Sequence, residues 1–147
     1  MQIAVIGLWH LGSVTAACLC RAGYHVIAYD PDKEIIKKFN DGCAPIFEPD
    51  LENLLNEARD SGKLKYSNKF SDIAHAEIIW VTFDTAVDSN DLADINYVVA
   101  QIKTFGEYFQ KNSLVLISSQ IPVGTTQKLQ QHFSSDINLS NKNISLV

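Results

Sequence analysis

Residues 1–30 read MQIAVIGLWHLGSVTAACLCRAGYHVIAYD, and their order decides the fold. Ile3, Ala4, Val5 and Ile6 form a short apolar run that stops at Gly7, as a strand buried on both faces does. Small or apolar residues then recur at Leu11, Val14, Cys18 and Ala22. The gaps of 3, 4 and 4 mark one face of a helix, and Gly23 stops it. His25 to Tyr29 is a second buried strand, closed by Asp30. Strand, glycine turn, helix and strand in this order make the opening unit of a parallel sheet.

The turn itself carries chemistry. Gly7-Leu8-Trp9-His10-Leu11-Gly12 stands where a dinucleotide-binding loop has the pattern GxGxxG. Gly7 allows the tight turn out of the strand, and Gly12 lets the helix pack closely on it. The middle glycine normally lets backbone approach a pyrophosphate, and here that position is Trp9. Three outcomes follow from an indole there. It points away from the phosphates and leaves binding intact with a shifted loop; it fills the pyrophosphate position; or it stacks on the ligand or a partner surface. His10 is either a phosphate donor or an exposed loop histidine. Asp30 lies 18 positions after Gly12, near the distance expected of a carboxylate that holds the ribose hydroxyls of NAD. It would repel the 2′-phosphate of NADP, a preference that Lys33 weakens slightly. Asp30 also suits a helix N-cap before Pro31, and a carboxylate has acceptor sites enough for both roles.

Working outward, the alternation continues. Pro31 suits a first helical turn, and Ile35, Ile36 and Phe39 supply that helix's apolar side. Residues 42–50 are loop-like, with two prolines. Leu51, Leu54, Leu55 and Ala58 mark another amphipathic helix. Leu64 to Ser67 is a short strand, Ser71 to Ala76 one helical turn, and Glu77 to Thr82 a buried strand. Residues 84–93 form a polar loop. Asp94 caps a long helix with apolar positions at Ile95, Val98, Val99, Ile102, Phe105 and Phe109. Leu114 to Ile117 is a strand, Thr125 to Phe133 a helix, and Ile144 to Val147 the start of a further strand. Strands apolar on both faces that alternate with helices predict an α/β fold, a Rossmann-type doubly wound parallel sheet with helices on both faces. The whole of residues 1–147 reads as one dinucleotide-binding domain.

Composition narrows the partners. The 147 residues carry a formal charge of −5, which disfavours nucleic acid and anionic membranes as partners. No apolar run approaches the roughly 20 residues that span a bilayer. The first twelve residues lack the basic start of a signal peptide. Cys18, Cys20 and Cys43 form no CxxC and read as reduced, partly buried residues of a cytoplasmic protein. The four histidines show no ligand-like spacing with them, so no metal site is expected.

The chain also resembles the N-terminal NAD-binding domain of the UDP-glucose/GDP-mannose dehydrogenases. Its opening is similar to the family's MKIxVIGxGYVGLxxAxxLAxxGHxVxxxD. Asn40-Asp41-Gly42 with Pro45 to Leu51 looks like NxGxxPIxEPxL. Residues 85–98 look like TPxxxxGxxDLSYV, and Ser119 to Thr126 like STVPVGTT. The resemblance implies a cofactor-contacting set of Gly7, Leu8, Trp9, His10, Leu11, Gly12, Asp30, Lys33, Thr85 and Gln120. Four departures fall on the cofactor face: Trp9, Asp84 where glycine or proline is usual, Ala86 for the proline after Thr85, and Gln120 for threonine.

Family members oxidise the C6 alcohol of a nucleotide sugar to a carboxylate with NAD, through a downstream cysteine that forms covalent intermediates. A thiolate suits that role as a strong nucleophile. None of the three cysteines here matches its position, and the family's central helix and sugar-binding domain are absent from these 147 residues. The resemblance therefore implies a truncated chain or the product of a split or damaged gene, unable to complete the reaction alone and able to meet a nucleotide sugar only with the missing half. Apolar surface where that half would dock makes a homodimer one expectation. The alternative reading is a non-catalytic Rossmann module that binds another nucleotide or serves as a protein-interaction unit, suggested by Trp9 and the absent catalytic half.

Overall fold

The computed structural model describes residues 1–84 and 94–147. In chain order its elements are β1 (Gln2–Ile6), α1 (His10–Arg21), β2 (His25–Tyr29), α2 (Lys33–Asn40), α3 (Leu51–Asp60), β3 (Leu64–Ser67), α4 (Phe70–Ile73), β4 (Ile78–Val81), α5 (Ile95–Gly106), β5 (Leu114–Ile117), α6 (Thr125–Ser135) and β6 (Ser145–Leu146). The strands form one sheet in the order β3-β2-β1-β4-β5-β6, and every pairing is parallel. This is the doubly wound order, with the chain reversing direction across the sheet between β1 and β4.

Alternation along each strand divides two cores. Ala4, Ile6, Ile27, Tyr29, Ile79 and Val81 point into one, where α5 and α6 bury Val98, Ile102, Phe105, Leu129 and Phe133. Ile3, Val5, Val26 and Ala28 point into the other, against Ala16, Ala17 and Cys20 of α1, Ile36 and Phe39 of α2 and Leu51, Leu55 and Ala58 of α3. Phe105 anchors the first core, its ring centroid 5.4 Å from that of Tyr29, 5.3 Å from Phe70 and 6.1 Å from Phe83.

Several expectations shift. The buried face of α1 is Gly12, Ser13, Ala16, Ala17 and Cys20, not the stripe through Leu11, Val14, Cys18 and Ala22. The small residues win because this helix lies too close to β1 for larger side chains. Cys20 is buried, but Cys18 and Cys43 are exposed; all three are free thiols. Pro31 precedes α2 instead of opening it, and Asp32 is the N-cap, its Oδ1 accepting from the Glu34 amide at 2.8 Å. Phe109 is buried beyond the end of α5. As expected, Asp94 caps α5 by accepting from the Tyr97 amide at 3.0 Å.

The register places the site. Ile6 pairs with both Tyr29 and Val81, and Val81 with Ile117. The residues that follow these, Gly7, Asp30, Thr82 and Ser118, therefore leave the sheet along one edge. Ligands of open α/β sheets bind there, beyond the carboxyl ends of the strands at the switch point.

Candidate nucleotide site

The turn out of β1 is built for glycine at both ends. Gly7 has φ +95°, and a Cβ on it would lie 2.8 Å from the amide nitrogen of Phe83. A Cβ on Gly12 would lie 1.8 Å from the carbonyl oxygen of Gly7 and 2.7 Å from Oγ1 of Thr82. The loop is thus clamped against the end of β4. The Thr82 hydroxyl reinforces the clamp from inside, lying 3.0 Å from the Ile6 carbonyl and 2.8 Å from that of Gly7, to which it donates.

Position 9 has no such requirement. Trp9 is the N-cap of α1 with φ −86° and ψ −149°, so its backbone lies outside the region that favours glycine. Its carbonyl accepts from the Ser13 amide at 3.0 Å and the Ser13 hydroxyl at 2.7 Å. The residue is 46% exposed, which makes the indole a surface group beside the loop. No side chain caps α1. The amides of its first turn have no intrahelical acceptor and carry the positive end of the helix dipole, the usual seat of a phosphate. His10 takes neither expected role alone: its Nε2 lies 2.6 Å from Oε1 of Glu48, tying α1 to the proline-bounded loop.

Asp30 is the best-defined polar residue of the site. It is 6% exposed. Its Oδ2 accepts from the Leu8 amide at 2.8 Å and its Oδ1 from the Asp32 amide at 2.9 Å. Burial pushes its pKa up, and the two backbone donors offset part of that rise. It is not the N-cap of α2, since Asp32 has that role. Each of its oxygens keeps a further lone pair for an outside donor. Leu8 is buried and its amide is committed to Asp30, so it ties the loop to the carboxylate instead of presenting a free N–H. Lys33 opens α2 and is exposed. Thr85, with Ala86, lies outside the described residues.

Across the switch point, Leu11, Phe83, Asp84, Ser118, Ser119 and Gln120 line a crevice of about 250 Å³. Gln120 and Leu11, far apart in sequence, therefore meet here. Ser119 is 8% exposed, and its Oγ is buried without a hydrogen-bond partner among the described residues. A buried hydroxyl without a partner is unusual in a folded chain and marks the crevice wall as a place where a further polar partner would be accommodated. A larger groove of about 560 Å³, lined among others by Arg21, Asn53, Glu57 and Lys63, lies toward the other end of α1 and includes none of the residues above.

The uncapped α1, the buried carboxylate with spare acceptor sites and the orphaned Ser119 hydroxyl fit a dinucleotide laid across the strand ends. Thr82, Phe83 and Glu48 were not expected from the sequence. Their roles depend on long-range adjacency, and the sole sequence signal is that Thr82 ends a buried strand.

Comparison with known proteins agrees with this geometry. A profile of the UDP-glucose/GDP-mannose dehydrogenase family, NAD binding domain, matches residues 1–147. The UDP-N-acetyl-D-mannosamine dehydrogenase of Pyrococcus horikoshii is 37% identical over 129 residues, covering 88% of this chain and 31% of that protein. A UDP-glucose 6-dehydrogenase of Pseudomonas aeruginosa is 30% identical over 132 residues, covering 89% and 29%. In structure, the Pyrococcus horikoshii UDP-D-ManNAc dehydrogenase superposes with a TM-score of 0.88 at 33% identity, over 99% of this chain and 35% of that one. A ternary complex of the Pseudomonas aeruginosa GDP-mannose dehydrogenase gives a TM-score of 0.88 at 25% identity, over 99% and 35%. The chain spans about a third of the length of the relatives it matches. Among the described residues no helix is long and apolar enough to cross a membrane, and no group of His, Cys, Asp and Glu could hold a metal ion. Sequence, strand order and site geometry together place the chain in the UDP-glucose/GDP-mannose dehydrogenase family, as its NAD binding domain.

Proposed function

We propose that the chain is the cofactor half of a cytoplasmic nucleotide-sugar 6-dehydrogenase. Asp30 carries this reading. A buried carboxylate at the end of β2, locked to the phosphate loop through Leu8, is placed to accept from both hydroxyls of an adenosine ribose. It is badly placed for a 2′-phosphate, so the cofactor is NAD, not NADP. The first-turn amides of α1, from His10 to Gly12, take the pyrophosphate. Trp9 lies over its flank, and Lys33 approaches the adenosine side. Leu11, Ser119 and Gln120 hold the nicotinamide half, with Thr85 as a further contact. When bound, NAD supplies a hydride acceptor; the residues here bind it, orient it and shield one side of it from water.

The chemistry on the sugar needs groups beyond these. Burial pushes the Cys20 thiol up to about 11, which keeps it protonated and inert at neutral pH. It also lies at the far end of α1 from the crevice. Cys18 lies in the second half of α1 and Cys43 follows α2, and neither lines the crevice. A nucleotide sugar therefore binds only with further protein, supplied by the rest of a longer chain, and a homodimer would bury surface left bare without it.

Calorimetric titration tests the reading. NAD and ADP-ribose bind, and NADP binds at least about tenfold more weakly, the equivalent of about 1.4 kcal/mol. A folded sample with no heat of binding at millimolar NAD rejects it. Exposed Trp9 favours one competitor, a non-catalytic module that meets another protein. Thermal stabilisation by a protein partner but by no adenosine diphosphate compound selects that reading.

A further inference from the structure

Asp84 has no part in the binding scheme above. It lies three residues beyond the end of β4 and lines the same crevice as Leu11, Phe83, Ser119 and Gln120. A doubly wound sheet binds one mononucleotide on each half of its strand order. Asp30 marks the β1–β2 half as the adenosine end. The crevice over the ends of β4 and β5 is therefore the nicotinamide end, and the orphaned Ser119 hydroxyl is independent support for a ligand there.

We infer that Asp84 sets the preference of this site between the two oxidation states of the cofactor, favouring NAD+ over NADH. The inference rests on the cofactor reading above. The two forms share both phosphates and both riboses. They differ in the ring, which carries a formal positive charge when oxidised and none when reduced. A carboxylate in the crevice lining attracts the first ring and not the second. Glycine or proline at this position, the residues of the family pattern, would leave the ring charge unanswered. Asp84 also repels the phosphates, but it does so equally in both forms, so the ratio of affinities isolates its effect on the ring.

Asp84 is exposed, so solvent weakens the attraction without removing it. The test measures dissociation constants of NAD+, NADH and ADP-ribose for the chain and for Asp84→Asn. The ratio Kd(NADH)/Kd(NAD+) falls about three- to tenfold in the variant, as expected of one partly screened charge a few ångströms from the ring. A tenfold fall corresponds to about 30 mV in the two-electron midpoint of the bound cofactor. ADP-ribose, which lacks the ring, tightens slightly or not at all. A second readout needs no variant: the ratio for the unaltered chain shrinks as salt is raised from about 0.01 M to about 1 M, because the Debye length falls from about 30 Å to 3 Å. A ratio that is the same in Asp84→Asn and flat with salt overturns the assignment while NAD binding stands. Failure of all three ligands to bind the unaltered chain overturns the cofactor reading, and this inference with it.

Discussion

The two halves of the strand edge are finished to different degrees. On the β1–β2 side the polar groups answer one another. The Leu8 and Asp32 amides both donate to Asp30, and the Asp32 carboxylate accepts from the Glu34 amide. On the β4–β5 side Thr82 donates to the carbonyls at the end of β1 and the Trp80 indole donates to Ser118, but the Ser119 hydroxyl is buried with no partner among the described residues, and the crevice-lining Gln120 and Asp84 are exposed. The first half is organised before any ligand arrives, and the second is proposed to gain its missing partner when one binds. Substitutions on the first side therefore damage the free protein, and those on the second register when cofactor is added.

Gly12→Ala gives the largest effect. Its Cβ would lie 1.8 Å from the Gly7 carbonyl oxygen, backbone against backbone, and neither chain segment can swing aside as a side chain does. The helix must lift from β1 and separate Ala16 and Ala17 from the sheet. Overpacking of this kind costs about 3 kcal/mol. The urea midpoint falls by that equivalent at an unchanged slope, and NAD binding goes with it. A variant as stable as the parent would mean that the loop is not clamped.

Asp30→Ala comes next and breaks the first half from within. The Leu8 amide, buried with its residue, loses its acceptor, at a cost of about 1–3 kcal/mol, less what is regained by not burying a carboxylate. Burial holds the Asp30 pKa above its ordinary 3.8, so the folded state binds this proton more tightly than the unfolded chain. The stability tied to the carboxyl is thus fully present below pH 3.8 and declines as pH rises through the folded value. Urea melts at several pH values see the gap between parent and variant narrow upward across that window. A gap that widens instead means the backbone donors outweigh burial. Above that window, where Asp30 is ionised, NAD affinity falls at least about tenfold, by the loss of two charge-assisted hydrogen bonds.

These contrasts explain what the sequence reveals. Strands β1, β2, β4 and β5 are legible because their apolar residues run together, and in β1 and β2 both faces are buried. Gly7, Gly12 and Asp30 are legible because each meets a local geometric demand at a known spacing. The buried face of α1 is not, because periodicity weights large apolar residues, whereas the helix approaches β1 so closely that Gly12, Ser13, Ala16 and Ala17 must face it. Thr82 and Phe83 are hidden for a different reason. Thr82 acts on Gly7 from 75 residues away and Phe83 is the next residue, and only the pairing of β1 with β4 brings them there. Glu48 reaches His10 across 38 residues through an irregular loop, for which no periodicity exists to be read.

Ser119→Ala inverts the pattern. It removes an orphaned buried hydroxyl, so the free chain keeps its stability or gains about 1 kcal/mol. The same change removes a donor offered to the cofactor, and NAD binds about fivefold more weakly, the share of one neutral hydrogen bond. A loss of stability in the absence of ligand would show that the hydroxyl has an internal partner and that the second half is as finished as the first.

His10→Ala has the smallest effect and tests where the boundary between the halves runs. His10 and Glu48 lie 2.6 Å apart but both are substantially exposed, and pairs of this kind contribute at most about 1 kcal/mol. The melting temperature should hardly move. The contact, however, ties the proline-bounded loop to the first turn of α1, where the pyrophosphate is proposed to sit. Losing it frees that loop without loosening Gly7, Gly12 or Asp30. Glu48→Gln keeps a hydrogen-bond acceptor for the ring and removes only the charge, so it should bind cofactor like the parent, whereas His10→Ala binds more weakly by a factor of about two, the worth of one weak surface contact. If both variants bind more tightly than the parent, the Glu48 carboxylate repels the phosphates across the helix terminus. The unfinished character of the β4–β5 side would then extend to the loop that faces α1.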